Sequence, residues 1–193
     1  MHGVRAAAEG GRRVDDRPLV AAVLDGDRDA FRLVVDREAS VVYRACIRIL
    51  GDPHDAEDVA QESFLIAYRS LGSFRAEGSF GAWLMRIATR QAFLRLRKRS
   101  RMDALDLDGD ALPSRSAPDP LAIALAGERQ RAVRDAVARL PDPYREVVAL
   151  RFFGEQSLEE IALTTHRPLN TIKTHLRRGL ERLRLGTSQE ALA

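Results

Sequence analysis

The chain reads as an all-α protein, two small helical domains joined by an acidic flexible linker. Three observations predict this. Apolar residues recur at three- and four-residue spacing, with no strand-like alternation and no internal repeat. Aromatics make up only 6% of the residues, while Ala, Leu, Arg and Glu abound, which favours helix over sheet. The stretch 102–120 is poor in apolar residues, holds Pro113, Pro118 and Pro120, and carries five Asp against the single Arg115. That composition suits a solvated tether.

Taken in order, residues 1–17 are small and polar with no apolar run, so they are expected to be a disordered leader and not a secretory signal. Leu19, Val20, Val23 and Leu24 have helical spacing, and Asp25-Gly26-Asp27 is a turn. The stretch 29–50 predicts a long helix with a broad apolar face that includes Phe31, Leu33, Val34, Val42 and Ile49. Gly51-Asp52-Pro53 stops it. A third helix is expected over 55–71. Its first half carries Asp55, Glu57, Asp58 and Glu62, where a helix dipole favours acids, and Val59, Phe64, Leu65 and Tyr68 form its apolar side. A loop over 72–78 holds Phe74 and Arg75. Ser79 caps a fourth helix over 80–101, with Trp83, Leu84, Ile87, Ala88, Phe93 or Ala92, and Leu94 facing the core. Its end is basic: Arg95, Arg97, Lys98, Arg99 and Arg101. This first domain is assigned to 18–101.

The second domain is assigned to 121–186, with a tail over 187–193. A helix over 121–140 is broken by Pro141-Asp142-Pro143. A short apolar helix over 144–153 ends at Gly154. Ser157 and Glu160 are spaced as a capping box opening the next helix. Arg167-Pro168 ends that helix, and a last one runs over 169–185. Ile172, Leu176, Leu180 and Leu183 fall on one face of it, leaving Lys173, Thr174, Arg177, Arg178 and Glu181 outward. Two helices joined by a tight turn, the second one basic, form a helix-turn-helix. Asn170, Thr171, Lys173, Thr174, Arg177 and Arg178 lie in its base-reading half, where Arg and Lys suit guanine and Asn suits adenine.

Several functions find no support. Net charge is only +3, so the clustering of charge matters more than its sum. Cys46 is the only cysteine and the four histidines are scattered, so no disulfide, metal or cofactor is expected. There is no Gly-rich phosphate loop and no nucleophile-plus-base pattern, which argues against an enzyme. No apolar run approaches the roughly 18 residues of a membrane span, so a cytoplasmic location without membrane insertion is expected.

The motif blocks DAEDVAQESF (55–64) and FRAEGSFGAWLMRIATRQAFLRLR (74–97) resemble regions 2.2 to 2.4 of extracytoplasmic-function sigma factors of bacterial RNA polymerase. LPDPYREVVALRFFGEQSLEEIA and the TIKTHL helix resemble their regions 4.1 and 4.2. The likeness runs from about Pro18 to Leu185. It implies that Asp55, Glu57, Asp58, Gln61 and Glu62 grip the polymerase clamp helices. It implies that Phe74 and Arg75 lie in the loop capturing a flipped minus-10 base, with Arg90, Arg95, Arg97 and Lys98 near the melting point. Asn170, Thr171, Lys173, Thr174, Arg177 and Arg178 would read the minus-35 duplex. The implied partners are core RNA polymerase, through its clamp helices and flap, promoter DNA, and an anti-sigma factor.

Two departures stand out. Arg90 occupies a position where the family often has Asn. Thr164, Thr165 and His166 stand where two apolar residues and a Gly usually precede the turn, which removes the easy left-handed residue and buries hydroxyls that need partners. The alternative function is a helix-turn-helix regulator that binds operator DNA without polymerase, since TIKTH also resembles that class. The N-terminal half lacks the alternating strands of a receiver domain.

Overall fold

The computed structural model describes residues 16–105 and 120–190, with side chains placed over 16–102 and 127–186. Most of the expected leader, most of the linker and the end of the tail lie outside the described residues. The elements are α1 (Arg17–Leu24), α2 (Arg28–Leu50), α3 (Pro53–Arg69), a 3-10 turn (Leu71–Ser73), α4 (Phe80–Leu105), α5 (Pro120–Arg139), α6 (Tyr144–Phe152), α7 (Leu158–Thr165) and α8 (Leu169–Glu190). The described residues contain no strand.

Local chemistry sets the boundaries. The Asp27 carboxylate accepts the Asp29 and Ala30 amides at 2.9 and 3.1 Å and starts α2. Gly51, at φ +69°, ends it. Asp52 then accepts the Asp55 amide at 2.9 Å, and Pro53 supplies a preset φ. That cap starts α3 two residues before the expected 55. Helix α4 continues to Leu105, past the expected end at 101 and into the expected linker. Helix α8 likewise continues to Glu190, into the expected tail.

The leader gives up its last two residues. Arg17 is the first residue of α1, and Asp16 is buried, with its carboxylate accepting the Phe80 amide at 2.8 Å. Asp16 also meets Arg37 at 2.8 Å. Among the described residues the first bundle therefore extends back to Asp16, whose carboxylate is the partner for the otherwise orphaned start of α4.

Ile49, Leu50, Val34, Val42, Val59, Phe80 and Leu84 are fully buried and tie α2, α3 and α4 together. Leu33, Leu65, Tyr68 and Leu94, expected on apolar faces, are exposed. Leu33, Leu65 and Leu94 each sit one residue from a side chain that does point inward: Val34, Phe64 and Phe93. One residue is about 100° around a helix, enough to leave the core. Gly154 does not supply the left-handed turn after α6. Glu155 does, at φ +56°. Gly154 is small for another reason: an added Cβ would lie 2.8 Å from Met85.

The two bundles pack against each other, and their buried residues form one continuous cluster. Helix α4 lies against α6 and α7. Phe93 meets Phe153 edge-on at 5.6 Å. Polar contacts line the same seam. Arg86 donates to Glu146 at 2.7 Å and to the Thr164 carbonyl at 3.2 Å, and Gln156 donates to the Ala82 carbonyl at 3.0 Å. Arg48 pairs with Glu155.

Candidate nucleic-acid and polymerase interfaces

Helix α3 presents an acidic face. Glu57, Asp58, Gln61 and Glu62 are exposed, and Gln61 donates to Glu57 at 3.4 Å one turn apart. Asp55 differs from them. Its Oδ1 accepts both Arg95 Nε at 2.9 Å and Arg95 Nη2 at 2.7 Å, and its Oδ2 accepts Arg99 at 3.2 Å. Arg99 continues to the Leu50 carbonyl at 3.0 Å. The hydrogen bonds to Asp55 raise the Arg95 pKa above its ordinary value. Asp55 thus joins the acidic face of α3 to the basic end of α4, and the residues assigned to two different partners form one surface. Arg90, Arg97 and Lys98 are exposed along α4.

Phe74 is half-buried in an aromatic trio. Its ring lies 5.5 Å from both Phe80 and Trp83, which are 5.3 Å from each other. Its position is that of a lid on the first bundle. The loop that follows is set by Ala76 in the left-handed region at φ +55°, and it leaves Arg75 exposed.

The helix-turn-helix is built from its caps. Ser157 accepts the Glu160 amide at 3.1 Å, and Glu160 accepts the Ser157 amide at 2.8 Å, completing the expected box. At the altered turn His166 itself takes the left-handed position, φ +55° and ψ +39°. Its Nδ1 lies 2.7 Å from Glu77 of the first bundle. Thr165 resolves its buried hydroxyl by donating to the Ile161 carbonyl at 2.6 Å. The buried Thr164 hydroxyl has no hydrogen-bond partner among the described residues. Thr164→Val keeps the shape and removes that cost, so it is expected to stabilise the chain by about 1 kcal/mol. In thermal melts this is a rise of about 2–4 °C, whereas Thr165→Val should lower the midpoint.

On α8, Ile172 is buried, and Leu176 and Leu183 pack against the core. Asn170, Lys173, Arg177 and Arg178 are exposed, and Thr171 and Thr174 are partly so. Thr174 spends its hydroxyl proton on the Asn170 carbonyl at 2.9 Å, and Arg177 pairs with Glu181 at 2.7 Å. Arg182 lies over the Tyr144 ring at 5.0 Å. Hydrogen bonds from Arg178 and Arg182 hold the Tyr144 phenol below its usual pKa. His175 packs edge-on to the same ring at 5.6 Å, and burial holds its pKa below the usual imidazole value. Tyr144 therefore orders the outer side of the recognition helix. The sequence reading did not single it out, although its place one turn after Pro141 was visible. Cys46 is buried, which pushes its thiol up to about 12 and leaves it unreactive.

A helix-turn-helix with an exposed basic helix, joined to a bundle with an acidic face and a basic helix end, has the form of a DNA-binding protein. The family model "Sigma-70 region 2" matches residues 34–102, and "Sigma-70, region 4" matches 130–183. The chain is 36% identical over 173 residues to the ECF RNA polymerase sigma factor SigW of Bacillus subtilis (strain 168), covering 86% of this chain and 92% of that one. It is 34% identical over 179 residues to the ECF RNA polymerase sigma-E factor of Escherichia coli (strain K12), covering 88% and 92%. The solved structure of CnrH in complex with the cytosolic domain of CnrY shares the fold, with a TM-score of 0.57 at 22% identity over 91% of this chain and 99% of that chain. The chain belongs to the sigma-70 family, as an extracytoplasmic-function sigma factor. It is a transcription initiation factor and not a free-standing operator-binding regulator. None of its described helices is long and apolar enough to cross a membrane.

Proposed function

We propose that the two faces of the first bundle and the recognition helix divide the work of initiation. Glu57, Asp58, Gln61 and Glu62 dock on the clamp helices of core polymerase. Asp55 holds Arg95 and Arg99 at the edge of that contact, while Arg75, Arg90, Arg97 and Lys98 follow the melted minus-10 strand. Phe74 lies in the loop that takes the flipped base, and its packing on Phe80 and Trp83 gives that loop a rigid floor. Asn170, Thr171, Lys173, Thr174, Arg177 and Arg178 read the minus-35 duplex, and the second bundle also meets the polymerase flap. A cytoplasmic location and control by an anti-sigma factor belong to the same reading.

The observation that supports it is the pairing of Arg95 with Asp55, in which the acidic face of α3 meets the basic end of α4. The test is run-off transcription with core polymerase from the gene's own upstream region. Transcription that depends on the added chain supports the reading. DNA binding equally strong without polymerase overturns it. Within that assay Arg178→Ala is expected to lower minus-35 discrimination about tenfold, the low end for losing one bidentate base contact, with core association unchanged. Asp58→Arg should do the reverse. Loss of core association in the Arg178 variant would contradict the assignment.

A further inference from the structure

A cavity of about 300 Å³ opens beside the start of α4, and none of the roles above uses it. Two glycines shape its walls. A Cβ on Gly81 would lie 2.8 Å from Glu38 Oε2, and one on Gly154 would lie 2.8 Å from Met85 Cγ. Any larger residue at Gly81 would displace the Glu38 carboxylate from the wall.

The lining is rich in acceptors. Asp16, Glu38, Glu155 and Glu160 supply four carboxylates, which face only two arginines: Arg37 in the wall and Arg48, paired with Glu155. Gln156 is 5% exposed. Its amide nitrogen donates to the Ala82 carbonyl at 3.0 Å, while its Oε1 is buried with no hydrogen-bond partner among the described residues. Asp16 Oδ1 is buried too, and Arg37 stands 2.8 Å from it without the alignment of a hydrogen bond. A buried acceptor without a donor is costly, so two in one lining call for donors.

The chemistry of the lining defines the donor. Unpaired acceptors and surplus carboxylates select a cation with several N–H groups. Among the described residues no three His, Cys, Asp or Glu side chains group as a metal site. Val41, Ala82 and Met85 add apolar wall. That mixture favours a flat, weakly hydrated guanidinium over a compact, strongly hydrated ammonium. The five N–H donors of a guanidinium lie in one plane and can meet acceptors on different walls.

We propose that this cavity is a guanidinium-binding site, with Asp16, Glu38 and Gln156 as its acceptors and Glu160 at its rim. The group has two available sources: a small guanidine from solution, or this chain's own Arg12 and Arg13. Those arginines precede Asp16 by four and three residues. At up to ~3.6 Å per residue, either is within about 15 Å of it. A group tethered so closely acts at roughly millimolar effective concentration, so it would exclude a guanidine from solution.

The test is thermal melting of the full chain in about 10 mM butylguanidinium chloride, with butylammonium chloride at the same concentration as control. The guanidinium salt should raise the midpoint by at least about 2 °C, and the ammonium salt by less than half as much. Glu38→Gln keeps the side-chain volume, removes one charge and should abolish the rise. Glu160→Gln preserves the capping box, so it folds, and it should at least halve the rise. A further chain carries Arg12→Ala and Arg13→Ala. A rise in the wild type assigns the site to a guanidine from solution. A rise only in the Arg12 and Arg13 variant assigns it to the chain's own arginines. No rise in either chain overturns the site, as does a rise that butylammonium matches or that survives both glutamate substitutions.

Discussion

Asp16→Ala is expected to lower the stability of the chain by about 2–4 kcal/mol, from the loss of a buried ion pair and of a buried helix-start hydrogen bond. The residue lies at the edge of the leader, yet its side chain is only 4% exposed. One oxygen accepts the Phe80 amide at 2.8 Å, and the other meets the Arg37 guanidinium at 2.8 Å. Phe80 opens α4 and is itself fully buried, so the orphaned amide cannot turn to water. Arg37 is about one-third exposed and keeps Glu38 as a second partner, which places the expected loss below the upper range for a broken buried pair. Thermal melting should show a drop of about 5–15 °C. Arg37→Gln is the control: it leaves the helix-start bond intact and should cost less than half as much. A leader deletion ending at residue 16 should be less stable than one ending at residue 15, by about the cost of the alanine variant. Equal stability of the two deletions would show that Asp16 does not anchor α4.

The reason Asp16 escapes a reading of the sequence is general to this chain. Features decided within one helical turn were legible: Ser157 with Glu160, Gly51 with Asp52 and Pro53, and the stripe of Ile172, Leu176 and Leu183. Each depends on residues a few positions apart, where spacing is geometry. Asp16 instead finds its partner 64 residues away, Arg86 finds Glu146 at a separation of 60, and His166 finds Glu77 at 89. No periodicity encodes such pairs. The candidate site divides in the same way. Exposure of Lys173, Arg177 and Arg178 followed from the apolar stripe opposite them. The capture of Asp55 by Arg95 and Arg99 did not follow from either motif, because it depends on how α3 crosses α4. The altered turn was flagged by its missing Gly, but its solution was not: His166 adopts the left-handed conformation, and its ring turns to Glu77. His is among the residues that tolerate that region better than most.

Gly179→Val is expected to be strongly destabilising, by about 3 kcal/mol, at a site where helix propensity alone predicts the opposite sign. Gly179 sits inside α8, where a glycine ordinarily costs about 1 kcal/mol relative to Ala. Here the helix passes so close to α6 that a Cβ would lie 2.8 Å from Val148 Cγ2 and 3.5 Å from Tyr144 Cβ. Val148 is nearly fully buried and its branched side chain has few rotamers to retreat into. Even Gly179→Ala should therefore lose stability, by about 1 kcal/mol net of its propensity gain. Displacement of α8 should also disturb Arg178 and Arg182, which converge on Tyr144 at the same contact, so minus-35 discrimination should fall beyond what unfolding explains. The cause can be isolated with a double-mutant cycle. Val148→Ala alone opens a cavity and destabilises, but in the Gly179→Val background it makes room for the new side chain. Urea melts should show the double variant more stable than the sum of the two losses by at least about 1 kcal/mol. Simple additivity would mean that the approach of α8 to α6 is not what requires a glycine there.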